Sequence, residues 1–432
     1  MESQTNRNSI STKIFWVAAS FSLPIAVLVY LVVANIASQL DFRRKEITGN
    51  AYLRPLMNLL VQVQNHQLAA GNPAAGRPAS EAAVDHWLQE LAKAQRASGN
   101  DLQFTEAGLR LRHREHQNPA TLEQEWRGLV AAAPSLNPSD AGARHEHLLA
   151  DIRTMITHAG DTSNLILDPD LDSYYLMDVT LLALPETLSR LPKTAQGAES
   201  MLHEHTSKSM ALAAADFALL KEYMDRVQAS METAVNEDVN FYGASPTFAR
   251  AIAAPLAKFK DAQKTYLDLV NQAVAGDAKL SAGDFMKTEE STRQAAFAFW
   301  TVAVDELDAL LAIRVAYYST YRIWALVSAG AALFAASLLA WFLARSIVRP
   351  LDSLLRSLGP GATLLTASVE RIAETSRGEA AASPMEAQII CEELNGHADD
   401  MRKAVLELAL HVQGSGAEQG VLAAAGYREE LQ

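Results

Sequence analysis

The residues best equipped for chemistry lie in one acidic, aromatic stretch. Asp168, Asp170 and Asp172 alternate along the chain, and Tyr174 with Tyr175 follows directly. Carboxylates and phenols so close together make an electronegative lip for a cationic or hydrogen-bonding ligand, so these five are the candidate ligand-binding residues. The aspartates also open like a calcium loop, but the glycine at the sixth position and the closing glutamate of an EF-hand are missing. A blander account stands beside the lip. Asp168 with Pro169 behind it is a good helix cap, and acids complement the positive end of a helix dipole.

The histidines make a weaker set. His113 and His116, three apart, share a helical face, whereas His145 with His147 and His203 with His205, two apart, diverge on a helix. No acidic third ligand stands at suitable spacing, so no metal is expected. The single cysteine, Cys391, rules out an internal disulfide and a cysteine-cluster metal site. No nucleophile is paired with a base. Neither catalysis nor a cofactor is expected.

Two apolar runs must position whatever the acidic stretch does. Residues 14–38 carry no charge over 25 positions, and residues 323–344 none over 22, against the roughly 20 needed to cross a bilayer core. The first run exceeds the apolar core of a signal peptide, and no clear cleavage site follows it. Trp324 and Trp341 sit near the two ends of the second run, where amphipathic rings favour the interface. Small residues recur four apart in both, as Ala18, Ser22 and Ala26 and as Ser328, Ala332, Ala336 and Ala340. That spacing allows close helix approach in lipid, and alanine is also simply common here. Arg345, Arg349 and Arg356 against a lone Arg322 place the C-terminal side in the cytoplasm. Both termini are then cytoplasmic and residues 39–322 lie outside.

Composition agrees. A chain of 432 residues with 49% apolar and 20% charged residues supplies both a core and membrane segments. Its net charge of -13 argues against nucleic acid as a partner.

The outer segment reads as helix after helix. Leu53, Leu56, Leu60 and Val63 form a stripe, with bends expected at Gly49 and Pro55. A loop is expected over 70–79, a helix over 80–97 and a polar connection over 98–118. Asn118-Pro119 starts a helix ending near 133, and another spans about 139–158. Met177, Leu181, Leu184, Leu188 and Leu191 repeat at helical spacing behind the acidic motif. Long helices are expected over 195–239, 246–275 and 282–318. In the last, Phe297, Trp300, Val304, Leu307, Leu311, Val315 and Tyr318 keep one face apolar. With no β-hairpin signal, the fold class is all-α, two transmembrane helices flanking an antiparallel helical-bundle ectodomain.

Three stretches resemble transmembrane sensory receptors typified by methyl-accepting chemotaxis proteins. LDPDLDSYYLMD at 167–178 is similar to a motif in their helical ectodomains, and FWTVAVDELDALLAIR at 299–314 to their membrane-proximal helix. SIVRPLDSL at 346–354 resembles the first helix of a HAMP linker, with Pro350 at the favoured position. Gly359-Pro360-Gly361 interrupts where a second HAMP helix would be prepared, so the linker is read as degenerate, covering 345–358. No methylation coiled coil, phosphoacceptor histidine box or cyclase signature follows. The resemblance implies a bacterial inner-membrane receptor, homodimeric, sensing a periplasmic small molecule or binding protein.

The relay residues on this reading are Arg345, Arg349, Pro350, Leu351 and Leu354, the arginines also meeting lipid headgroups. Over 359–413 cytoplasmic helices are expected, with a pairing seam through Leu394, Met401, Val405 and Leu408, and 414–432 is a loose tail. A cytoplasmic signalling protein or another receptor is the expected partner of 345–413. The rivals are a membrane-anchored helical scaffold without ligand sensing, and a truncated receptor.

Overall fold

A computed structural model describes residues 7–70, 77–204, 206–274, 280–343 and 345–346, with isolated positions between 367 and 400. Every regular element among the described residues is helical. The α-helices in order are α1 (Arg7–Ala70), α2 (Arg77–Ser98), α3 (Glu106–Leu111), α4 (Pro119–Ala132), α5 (Pro138–Thr162), α6 (Leu171–Met177), α7 (Leu184–Glu204), α8 (Ser207–Glu237), α9 (Phe248–Val274) and α10 (Ala282–Leu343). A π-helical turn over Asp178–Ala183 joins α6 to α7.

Local chemistry explains most boundaries. Asn118 and Asn137 accept hydrogen bonds from the Thr121 and Asp140 amides at 2.9 and 2.8 Å, each with proline next in the chain, so α4 and α5 start where cap and proline coincide. The expected 98–118 connection instead contains α3, whose cap Thr105 accepts from the Gly108 amide. A continuous helix over 195–239 is not found. α7 stops at Glu204, and α8 restarts behind a reciprocal capping box between Thr206 and Ser209.

The chain divides into two compact units. Residues 33–323 form one, and residues before 33 and after 323 the other. In the larger, one continuous apolar core draws on α1 to α10 and the π-helical turn. The stripe Leu53, Leu56, Leu60 and Val63 is buried in it, as are Met177, Leu181, Leu184, Leu188 and Leu191. On α10, Trp300, Val304, Leu307 and Leu311 are buried, and the Trp300 indole donates to the Thr180 carbonyl at 2.9 Å. α1 runs unbroken through Gly49 and Pro55. The glycine has another reason, since a Cβ there would stand 2.2 Å from the Ser163 Cβ, where α1 crosses the end of α5.

Polar side chains link α1 to α10 at several levels. The Asn50 amide donates to the Val304 carbonyl at 2.9 Å and to Asp308 at 2.7 Å. Arg54 pairs with Asp305 at 2.6 Å and with Asp308, while Arg293 donates to Asn65 at 2.6 Å.

α1 and α10 are each long and apolar enough to cross a membrane. In the smaller unit Leu23, Val27, Leu28 and Leu31 are exposed, as are Trp324, Phe334, Leu338 and Trp341. Ala26, Ser328, Ala332 and Ala336 are exposed as well.

Candidate functional site

The acidic motif meets a buried arginine from the far end of the sequence. Arg314 on α10 is 1% exposed, and its guanidinium is shared among three carboxylates. Its Nη2 donates to Asp168 Oδ1 at 2.8 Å, its Nε stands 2.6 Å from Asp170 Oδ2, and its Nη1 donates to Glu46 Oε2 on α1 at 3.3 Å. The Ser173 hydroxyl completes the shell. Tyr242, in the loop between α8 and α9, donates its hydroxyl to Asp170 Oδ2 at 2.9 Å. Its backbone is left-handed at φ 57°, uncommon for a bulky residue. Ring contacts with Tyr317 at 4.9 Å and Tyr318 at 6.0 Å help to hold it. The Arg43 guanidinium lies 4.0 Å over the Tyr318 ring, a cation–π contact that ties α1 to α10 again.

The electrostatics follow from crowding three acids around one base away from water. Burial, reinforced by Asp168, pushes the Glu46 carboxyl up to about 8. Burial also pushes Asp168 up, against the pull of Arg314, and Asp172 up to about 6. Burial lowers the Arg314 guanidinium, but Asp168, Asp170 and Glu46 outweigh it and hold its affinity for the proton above the ordinary value. At neutral pH Glu46 therefore keeps its proton. Arg314 then faces Asp168 and Asp170 directly, with Arg43 close to Glu46.

The five sequence-selected residues divide in two. Asp168 and Asp170 turn inward to Arg314, so an incoming cation would have to displace the guanidinium. Asp172 is buried and accepts the Ser173 amide at 2.7 Å. Tyr174 is 38% exposed and stacks edge-on against the half-buried Tyr175, with 5.4 Å between centroids. The cap expected at Asp168 also differs. Its Oδ1 accepts the Asp170 amide at 3.0 Å, and the helix begins after Asp170, whose own carboxylate makes no capping bond because it serves Arg314 and Tyr242. Of the relay set, Arg345 is placed with its guanidinium 5.6 Å over the Trp341 ring. Arg349, Pro350, Leu351 and Leu354, and the seam residues Leu394, Met401, Val405 and Leu408, lie outside the described residues.

Sequence reading missed Arg314, Glu46, Arg43 and Tyr242. One signal was present, because Arg314 falls three after Leu311 and four before Tyr318, on the apolar stripe itself.

A second feature is open to solvent. A groove of about 740 Å³ lies between α1, α2 and α10. Pro55, Trp87, Phe297 and Trp300 supply apolar and aromatic surface, and Arg54, Glu90 and Lys93 supply charge. Pro55 removes the helical donor to the Ala51 carbonyl, and Ala51 also lines the groove. A mainly apolar cleft with a few charged groups suits a small amphipathic molecule.

No family model matches the sequence, and neither a curated protein nor a solved structure matches it.

Proposed function

We propose that the chain is a transmembrane signal-transducing receptor of chemoreceptor type, with residues 39–322 as a periplasmic helical bundle and both termini in the cytoplasm. One observation carries this reading. Arg314, nine residues before the second apolar run, is gripped at once by Glu46 from the helix bearing the first run and by Asp168 and Asp170 of the acidic motif. A rearrangement of the body therefore has a direct mechanical purchase on both helices that enter the membrane.

An antiparallel pairing of α1 with α10 belongs to this reading. Its support is the order of the polar links, in which Glu46, Asn50, Arg54 and Asn65 meet Arg314, Asp308, Asp305 and Arg293. As the residue number rises on one helix it falls on the other.

The stimulus is a small molecule with an apolar body and a charged end, taken up in the groove beside Trp87 and Trp300. Occupancy favours one of two packings of α1 against α10, and the charge cluster passes the difference to the spans. A binding difference of about 1.4 kcal/mol shifts the population ratio tenfold, so a modest ligand suffices. The working form is a homodimer in the inner membrane, handing the signal to a cytoplasmic protein through 345–413.

The test uses full-length protein in lipid nanodiscs, screened for thermal stabilisation by a broad panel of amphipathic metabolites. A specific compound should raise the melting midpoint in wild type and not in Trp87→Ala. No response across the panel would favour a membrane-anchored scaffold. That second reading has its own support, because the two aspartates nearest to a ligand lip are already bound to an internal arginine.

A further inference from the structure

We propose that Glu125 on α4 with His147 and Asp151 on α5 forms a binding site for a divalent transition-metal ion, Zn²⁺ being the best chemical fit. The three side chains bring one ligand atom each to within 4.8 Å of one another. His147 and Asp151, four apart on one helix, share a face, and Glu125 reaches them from the neighbouring helix. His147 Nε2 stands 3.6 Å from Glu125 Oε1 and 3.6 Å from Asp151 Oδ2. Both gaps are too long for good hydrogen bonds. They lie close to the edge of a tetrahedral coordination shell, about 3.4 Å for metal–ligand bonds near 2.1 Å.

A second observation is independent of this spacing. Asp151 is 4% exposed, and its Oδ2, the oxygen that faces His147, accepts no hydrogen bond. Glu125 Oε2 is also buried without a hydrogen bond. Leaving a buried carboxylate oxygen without a partner costs free energy that a bound cation recovers. The other oxygen of Asp151 accepts from the Gln117 side-chain amide at 2.7 Å, a supporting contact of the kind that orients a ligating carboxylate.

The donor set points to the class of ion. One imidazole and two carboxylates suit Zn²⁺, Co²⁺ or Ni²⁺, whereas Ca²⁺ takes six to eight oxygens. The His147 side chain is 62% exposed, so a fourth position faces solvent and takes water or a small anion. Arg144 lines the adjoining 270 Å³ pocket with His147 and Glu125, which favours an anion there. The competing explanation is a simple side-chain triad, with His147 between two acids and no ion bound.

Untagged full-length protein in nanodiscs at pH 7.5 separates them, titrated with Zn²⁺ against a chromogenic chelator and with Co²⁺ by visible absorption. Wild type should take up one ion per chain and give the intense visible bands of four-coordinate Co²⁺. His147→Ala and Glu125→Gln should each weaken uptake more than tenfold, with melting midpoints in chelator close to wild type. Glu125→Gln decides the matter if His147→Ala misfolds. A His113→Ala, His116→Ala double variant should bind like wild type. Absence of uptake, or equal uptake by wild type and both site variants, would overturn the proposal.

Discussion

Arg314 is the side chain with most to lose if it is replaced. Methionine at this position fits the volume but leaves Glu46, Asp168 and Asp170 together without their cation. Breaking a buried ion pair by removing one partner costs about 3–5 kcal/mol. Arg314→Met should therefore destabilise the full-length protein by at least that much at pH 7.5, read from its denaturation midpoint. A loss under about 1 kcal/mol, the range of exposed pairs, would mean that water reaches the cluster.

Glu46 gives a test with a definite sign. Burial raises its folded-state value from 4.5 to about 8, so folded protein holds a proton that the unfolded chain has released. That contribution is complete below about pH 4.5 and is lost as the pH rises through 8. Glu289, pushed by burial to about 7, acts in the same direction but finishes earlier. His158, lowered by burial, acts oppositely at acid pH. The clean window is therefore about pH 7 to 9, where the melting midpoint should fall. Glu46→Gln, neutral at every pH, should flatten the fall and add about 1 kcal/mol or more near pH 8.5. An identical pH profile in the variant would show that Glu46 does not titrate there.

The same residues mark how far sequence could be read. Asp168 and Asp170 were visible as acids in an unusual place, and helix capping explained them adequately from nearby residues. Their actual partner lies 146 positions from Asp168 along the chain, and no local rule reports such a distance. The histidines failed in another way. His145 and His147 do diverge as their spacing requires, His145 turning inward to within 2.8 Å of His66 and His147 outward to the acids, but weighing histidines only against one another passed over the acid beside His147. The useful grouping was His147 with Asp151, one turn on.

At the scale of elements, glycines distinguish crossing points from free surface. Gly49→Ala would drive a Cβ into the Ser163 Cβ at the crossing of α1 with α5, and should cost about 1–3 kcal/mol, the usual range for overpacking. Gly128, inside α4, has open space where a Cβ would stand, with no atom within 4 Å, so Gly128→Ala should stabilise by about 0.5–1 kcal/mol. Urea melts of the two variants check both signs. The start of α4 was legible because Asn118 precedes Pro119. The break before Ser207 was not, because the apolar pattern continues across it and only the Thr206–Ser209 capping geometry marks the new start. The π-helical turn over Asp178–Ala183 was equally hidden. It keeps Leu181 in the core while its first residue, Asp178, accepts the Ser230 hydroxyl at 2.9 Å and pairs with Arg226.

For the whole molecule, topology is the proposition to test. In a Cys391→Ser background, Leu111→Cys, at a site 75% exposed on the larger unit, should react with a membrane-impermeant maleimide added to intact spheroplasts. The native Cys391 in the unaltered chain should react only after permeabilisation. The reverse pattern would invert the protein in the membrane.

The polar links along α1 and α10 carry a mechanical corollary. Glu46, Asn50 and Arg54 each meet a particular acceptor or donor on the other rod, and the residues between those partners are largely apolar. A slip of a whole turn would set Glu46 against Leu310 or Tyr318 and Asn50 against Ala312, none of which carries a charge. The two rods are therefore keyed to one register, and should change by tilting or twisting together rather than by sliding.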